Sequence, residues 1–358
     1  MSEYILSFCI PVYNHASMTC RIVTNILQCK DKRIQVVVSD DGSTDNTVDR
    51  LREINDERLK IVSSSCNSGA QRNWYRTLMQ GDGKWLYLLI GRDTVNPYNI
   101  SALLKLLEAL EKKNVGFVRE NRALKKGVRV YSSVESLKFL LDFAHPTGSI
   151  FLRAAFHTPP DKMHYYEIAD VYPENYVKRD IIRNYLCAET APVIFTGKTI
   201  VPLKTVRSLY EQKQKPDFPF YHPKRSTGQV LEIIDMIEAP GMFQLSQDVL
   251  DDLFLYKWKF LLYNITFYQR IRFLSPGFLG HYGEKKRKVG RIEMIKNMII
   301  AYQDVSAHFA PISPSRRKKM IMALLKQTVQ ILSWSDSKIL NSKWSGIERK
   351  TMITKGTV

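Results

Sequence analysis

Cysteine is scarce in this chain: five among 358 residues (Cys9, Cys20, Cys29, Cys66 and Cys187), an odd number with no C-x-x-C pair. That argues against a disulfide framework and a clustered zinc site, and for reduced thiols in a cytosolic compartment. No run of about 18 uncharged apolar residues occurs, which argues against a transmembrane helix. Acids are in deficit as well, with 35 Asp and Glu against 53 Lys and Arg and a net charge of +18. The partners implied are anionic: nucleic acid, acidic lipid, nucleotide or phosphorylated substrate. The opening MSEYILSFCIPVYN has no basic region before its apolar run, and Pro11 interrupts that run, so it reads as a first strand and not as a signal peptide. Repeats and low-complexity segments are also lacking.

What is present is ordinary globular composition, 44% hydrophobic and 25% charged, arranged in a regular alternation. Strand patterns at 5–10, 34–39, 59–63, 85–90 and 115–119 alternate with helix patterns at 17–29, 44–54, 70–80 and 100–112. Ser43 or Thr44 is the expected N-cap of the second helix. Such alternation predicts an α/β fold, a mainly parallel sheet flanked by helices, with ligands at the carboxyl ends of the strands. Beyond residue 120 the pattern loosens into helices near 134–143 and 174–187 and strands at 148–153 and 192–195. The division expected is a catalytic domain over 1–215, a linker or mobile loop at 216–228 within QKQKPDFPFYHPKRSTG, and a helical, basic region over 229–358.

Three strand ends carry the chemistry. IPVYN stops its strand at Pro11 and offers the flat ring of Tyr13 for stacking on a base. VVVSDDGSTDNT offers Asp40 and Asp41, carboxylates able to accept the imide N–H of uracil, before small residues that turn tightly. WLYLLIGRDTVNP ends a buried strand in Arg92 and Asp93. NSGAQRNW, between the last two, puts Arg72 on a helix at the same rim. Each has a plainer reading. Tyr13 reads equally as core, Asp40 and Asp41 as turn formers and caps, and Arg92 with Asp93 as a surface ion pair.

These four stretches, in this order, resemble the family 2 glycosyltransferases of the GT-A (Rossmann-like) fold, over roughly the first 100 residues. The resemblance implies a pocket in which Pro11 and Tyr13 line the base, Asp41 accepts from uracil, and Asp40 orders the loop or contacts the ribose. Arg72 would approach the base or phosphates. Asp93 would match the last acid of the family's D-x-D-type motif, which binds the divalent metal (Mg²⁺ or Mn²⁺) carrying the donor's diphosphate. Arg92 departs from the pattern, standing where the family often has another aspartate. Three readings stay open: Asp93 holds the metal alone, Arg92 neutralises the diphosphate itself, or the site is crippled. For the base that deprotonates the acceptor, the resemblance points to the helix start in DVYPENYVKRDII, favouring Glu174 behind Pro173, with Asp180 and Asp170 as competitors.

The function implied is inverting transfer from a nucleotide-sugar, a UDP-sugar by family habit, to a hydroxyl of a lipid-linked glycan in surface polysaccharide or glycoconjugate assembly. A glycoprotein acceptor and a non-catalytic, nucleotide-binding partner are the alternatives. No nucleic-acid-reading motif accompanies the charge, so nucleic acid is not an expected partner. In the carboxyl-terminal region Trp258, Phe260, Tyr263, Phe267 and Tyr268, with the basic clusters 285–288 and 316–319, suit either an anionic membrane surface or a helical subdomain whose aromatics pack on the catalytic domain or on a second subunit of a homo-oligomer. The expected location is cytoplasmic, peripheral on the inner face of the cell membrane if the first of these holds.

Overall fold

The computed structural model describes residues 4–90, 93–113, 115–120, 128–131, 147–156, 193–196, 204–205, 231, 246–256, 258, 291–308 and 314–333. Two compact units divide the chain, Met1–Leu209 and Tyr210–Val358. The expected segments at 134–143, 174–187 and 212–228 lie outside the described residues, as do Gly91, Arg92, Asp170, Glu174 and Asp180.

In the first unit the strands are β1 (Leu6–Val12), β2 (Ile34–Asp40), β3 (Leu59–Ser63), β4 (Trp85–Leu88), β5 (Asp93–Thr94), β6 (Phe117–Glu120), β7 (Val128–Tyr131), β8 (Ser149–Leu152), β9 (Val193–Thr196) and β10 (Lys204–Thr205). Eight of them form one sheet in the order β3-β2-β1-β4-β8-β6-β9-β7, while β5 pairs with β10. The block β3-β2-β1-β4 is parallel throughout. Beyond it the sheet is mixed: β8 runs antiparallel between β4 and β6, β6 pairs parallel with β9, and β9 antiparallel with β7. The 115–119 strand pattern therefore becomes β6, but separated from β4 by β8, a pairing that local periodicity does not encode.

The helices α1 (Ala16–Leu27), α2 (Thr47–Arg52), α3 (Ala70–Met79) and α4 (Ile100–Glu111) connect the strands. Alternation along β1 decides which face each helix covers. Leu6, Phe8, Ile10 and Val12 enter the larger core with Ile22, Val23 and Ile26 of α1, Leu51 of α2 and Leu103, Leu104 and Leu107 of α4. Cys9 enters the other core with Trp74 and Leu78 of α3 and Phe156. Helices thus cover both faces, and each large apolar side chain removed from water stabilises the layers by about 1.5–3 kcal/mol. Burial pushes the Cys9 thiol pKa well above its ordinary value, so this cysteine packs and does not react. Arg58 closes the far end of α1, donating to the carbonyls of Leu27 (3.0 Å) and Cys29 (2.6 Å) while it pairs with Asp56 at 2.8 Å.

One boundary needs correcting. The second helix starts at Thr47 with Asn46 at its N-cap position, not at Ser43 or Thr44. Both expected caps are spent elsewhere: the Ser43 hydroxyl donates to Asp40, and the Thr44 N–H donates to Asn14 Oδ1 at 2.7 Å. Asp45 Oδ1 accepts the Thr47 N–H instead, at 3.0 Å.

In the second unit, residues 247–256 are helical, as are Arg291–His308 and Pro314–Leu332. Trp258 is almost wholly buried and stacks on Phe254 of the same unit, ring centroids 6.2 Å apart. Phe260, Tyr263, Phe267, Tyr268 and 285–288 lie outside the described residues. Asp251 is buried in this unit, held by Arg316 at 2.7 Å. Among the described residues, no helix is long and apolar enough to cross a membrane.

Candidate functional site

The strand order creates the site. After β1 the chain moves through α1 to β2 on one side, and after β3 it crosses to β4 on the other side of β1. The connections leaving β1 and β4 therefore run to opposite sides, the kind of switch point at which open α/β sheets bind ligands.

At the end of β1, Val12 is buried, Pro11 is half-buried, and Tyr13 is 41% exposed. Tyr13 is therefore a rim residue, not a core one. Asn14 follows at φ 53°, a left-handed conformation that its short polar side chain tolerates. From there its N–H donates to Ser43 Oγ at 2.8 Å, while its Oδ1 accepts from Thr44. The loops after β1 and β2 are thereby tied together.

Both acids of SDDGS are buried. Asp40 ends β2 and organises its own turn, accepting the Ser43 N–H at 3.1 Å and the Ser63 hydroxyl at 3.1 Å. Gly42 sits at φ +71°, where a Cβ would lie 2.7 Å from the backbone carbon of Cys66. Only glycine lets the 41–43 turn approach the 66–69 loop this closely.

Asp41 uses that approach. Its carboxylate, 2% exposed, accepts from Ser68 N (3.0 Å), Ser68 Oγ (2.7 Å), Gly69 N (2.9 Å) and Arg76 (2.7 Å). Its own N–H donates to Val12 O at 2.9 Å. A uracil imide meeting Asp41 must share it with this set. Asn73 completes the arrangement: its Nδ2 donates to Ser39 O (2.8 Å) and Val12 O (3.2 Å), and its Oδ1 accepts from Ser39 Oγ (2.7 Å) and Arg76 (3.0 Å). One amide thus spends all its capacity pinning α3 to the ends of β1 and β2.

Arg76, Asn73 and Asn14 escaped sequence reasoning, which singled out only Arg72 from this helix. Arg72 lies exposed on the first turn of α3. The available signal was spacing: Arg76 follows Arg72 by four residues and Asn73 by three, the neighbours of one helix face.

Asp93 forms β5 and is 7% exposed, its backbone register opposite Thr205 of β10. Asp93 is thus a buried carboxylate and not a solvent-exposed one. In the turn before β8, the strand that pairs with β4 from the other side, Thr147 Oγ1 accepts the Ile90 N–H at 3.0 Å. Among the described residues, no three His, Cys, Asp or Glu side chains gather as an ion cage. Among the described residues, Asp93 is the carboxylate at the end of β4 that could hold a divalent cation, with phosphate and water as further ligands, a pattern open to magnesium.

The family described as Glycosyl transferase family 2 matches residues 7–169. The UDP-Glc:alpha-D-GlcNAc-diphosphoundecaprenol beta-1,3-glucosyltransferase WfgD of Escherichia coli is 24% identical over 121 residues, 34% of this chain and 47% of that protein. The succinoglycan biosynthesis protein ExoO of Rhizobium meliloti is 26% identical over 104 residues, 29% of this chain and 30% of that protein. The aligned part thus spans less than half the length of either relative. The structure of S. aureus TarS 1-349 in complex with UDP-GlcNAc superposes with a TM-score of 0.58 at 14% identity, covering 91% of this chain and 89% of that one. That likeness is one of fold. With the switch point between β1 and β4 and the SDDGS turn, these matches make residues 7–169 a family 2 glycosyl transferase domain on a GT-A fold.

Proposed function

We propose that the chain transfers a sugar, with inversion, from a UDP-sugar to a hydroxyl of a lipid-linked glycan. What supports this reading is an exposed ring at Tyr13 after β1, a locked polar wall of Asp41 and Arg76 after β2, and a buried carboxylate at Asp93 after β4. In this reading Pro11 and Tyr13 flank the base, Asp41 with Arg76 meets its polar edge, and Asp40 holds the loop beneath the ribose. Arg72 approaches the phosphates. Asp93 holds Mg²⁺ or Mn²⁺, which would stabilise the departing diphosphate, and Arg92 supplements that charge with its fork of donors. Glu174 is the favoured base, ahead of Asp180 and Asp170. UDP as the carrier is supported by the ligand named for TarS and the donor named for WfgD, and a lipid-linked acceptor by the diphosphoundecaprenol in the latter's name. A role in surface polysaccharide assembly is supported by the succinoglycan relative.

A panel of UDP-sugars tests this, with UDP release and transfer to lipid-diphosphate-linked sugars measured in Mg²⁺ and Mn²⁺. One donor should be turned over, and Asp93→Ala should abolish turnover. Near-normal rates in that variant would remove Asp93 from the chemistry. Intact UDP binding with no turnover of any donor would favour a non-catalytic nucleotide-binding partner.

A further inference from the structure

In the second unit two helices leave apolar stripes uncovered. Helix Arg291–His308 buries Met298, Ala301 and Val305, yet Ile292 (73% exposed), Ile295 and Ile299 face solvent. Helix Pro314–Leu332 buries Met320, Leu324 and Ile331, yet Met322 (59% exposed), Leu325 and Val329 (67% exposed) face solvent. Each exposed set follows the spacing i, i+3, i+7, so each is a continuous stripe on its helix. Scattered exposed apolar residues are ordinary, but stripes on two adjoining helices mark a surface that something covers.

The charges beside the stripes identify what covers them. At about 100° per residue, Lys296 falls on the exposed arc of the first helix, and Lys318, Lys319 and Lys326 on that of the second. All four are exposed. Among the described residues, the acid set against these lysines is Asp248, which reaches Lys319 at 3.7 Å as a solvated surface pair, while Asp304 is half-buried on the first helix. A second copy docking face to face would set lysine against lysine. Nucleic acid would meet the lysines but give the isoleucines no apolar phase. A bilayer with anionic headgroups satisfies both, since apolar side chains enter the acyl boundary while lysines reach up to phosphate. We propose that these two helices are the docking surface of the chain for an anionic lipid bilayer. This rests on the second unit alone and is independent of the donor reading.

The test is sedimentation of the full chain with vesicles of phosphatidylcholine, or of phosphatidylcholine with phosphatidylglycerol. The wild type should pellet with the anionic vesicles and weakly with the neutral ones. Lys318→Glu with Lys326→Glu should lower partition by at least about fivefold per lysine. Ile292→Ser with Ile299→Ser, or Met322→Ser with Val329→Ser, should lower it on the order of tenfold, with helix content and UDP binding unchanged. Serine pairs that pellet like the wild type would overturn apolar docking. A wild type that ignores vesicles but forms a dimer that the serine pairs dissociate would show the occupant to be a second copy.

Discussion

Removing the Asp41 carboxylate should open the 66–69 loop, and the structure sets the size of the effect. Asp41→Ala leaves the N–H groups of Ser68 and Gly69 and one guanidinium edge of Arg76 without the acceptor they now share. Breaking a buried ion pair by deleting one partner costs about 3–5 kcal/mol. Arg76 is 27% exposed, so solvent recovers part of that loss on its side. Solvent reaches the N–H groups of half-buried Ser68 and exposed Gly69, and Gly69 keeps Asn67 Oδ1 at 2.9 Å, so these two add little. The expected local cost is therefore about 2–4 kcal/mol, and 2 kcal/mol corresponds to about a thirtyfold rise in local opening. Hydrogen exchange read on peptides covering 64–80 measures it directly, with peptides from β3 as the internal reference. A double-mutant cycle with Arg76→Ala should return a coupling of about 1.5–3 kcal/mol. Unchanged exchange at Ser68 and Gly69, or a coupling near zero, would refute the claim that Asp41 is the hub of this wall.

Other outcomes follow from the same geometry. Gly42→Ala should destabilise the first unit by about 2–4 kcal/mol in denaturant and weaken UDP binding, because its Cβ would press on the Cys66 backbone at a positive φ. Asn73→Leu, which leaves the carbonyls of Val12 and Ser39 without their amide donor, should cost about 2–3 kcal/mol by the same denaturant assay. Hydrogen bonding from Arg58 holds the Asp56 carboxyl below the ordinary 3.8. Its stabilisation is therefore full above that pH and is lost as pH falls through the lowered folded-state value. Asp56→Asn should flatten the acid limb of the stability profile while leaving its slope near neutrality unchanged, as read by thermal unfolding across pH.

How much of this was legible beforehand differs by element. The strands from β1 to β4 and their helices were readable because each is a buried apolar run or a 3.6-period face with short connections. Strand β8 entering between β4 and β6 was not, since strand neighbours are chosen by tertiary packing of Phe151 and Ile150 against both cores. At the site, residue types were readable and partners were not. Asp40 and Asp41 stand out in SDDGS, but nothing local says that one serves its own turn and the other a loop 27 residues later. Ser43 and Thr44 look like caps by position, and they were drawn off by Asp40 and by Asn14, 29 and 30 residues away in the second case. The buried Trp258 shows the same limit: an aromatic stripe beside lysines has one pattern for core and for membrane, and packing decides.

At the centre stands the proposal that UDP binds at the carboxyl ends of β1 and β4, its diphosphate carried by a metal on Asp93. Calorimetric titration of UDP into the full chain, with and without Mn²⁺, tests it most directly. The account predicts saturable binding that Mn²⁺ tightens in the wild type, that Tyr13→Ala weakens with or without metal, and whose Mn²⁺ enhancement disappears in Asp93→Asn. No saturable UDP binding, or an equal Mn²⁺ enhancement in wild type and Asp93→Asn, would contradict it.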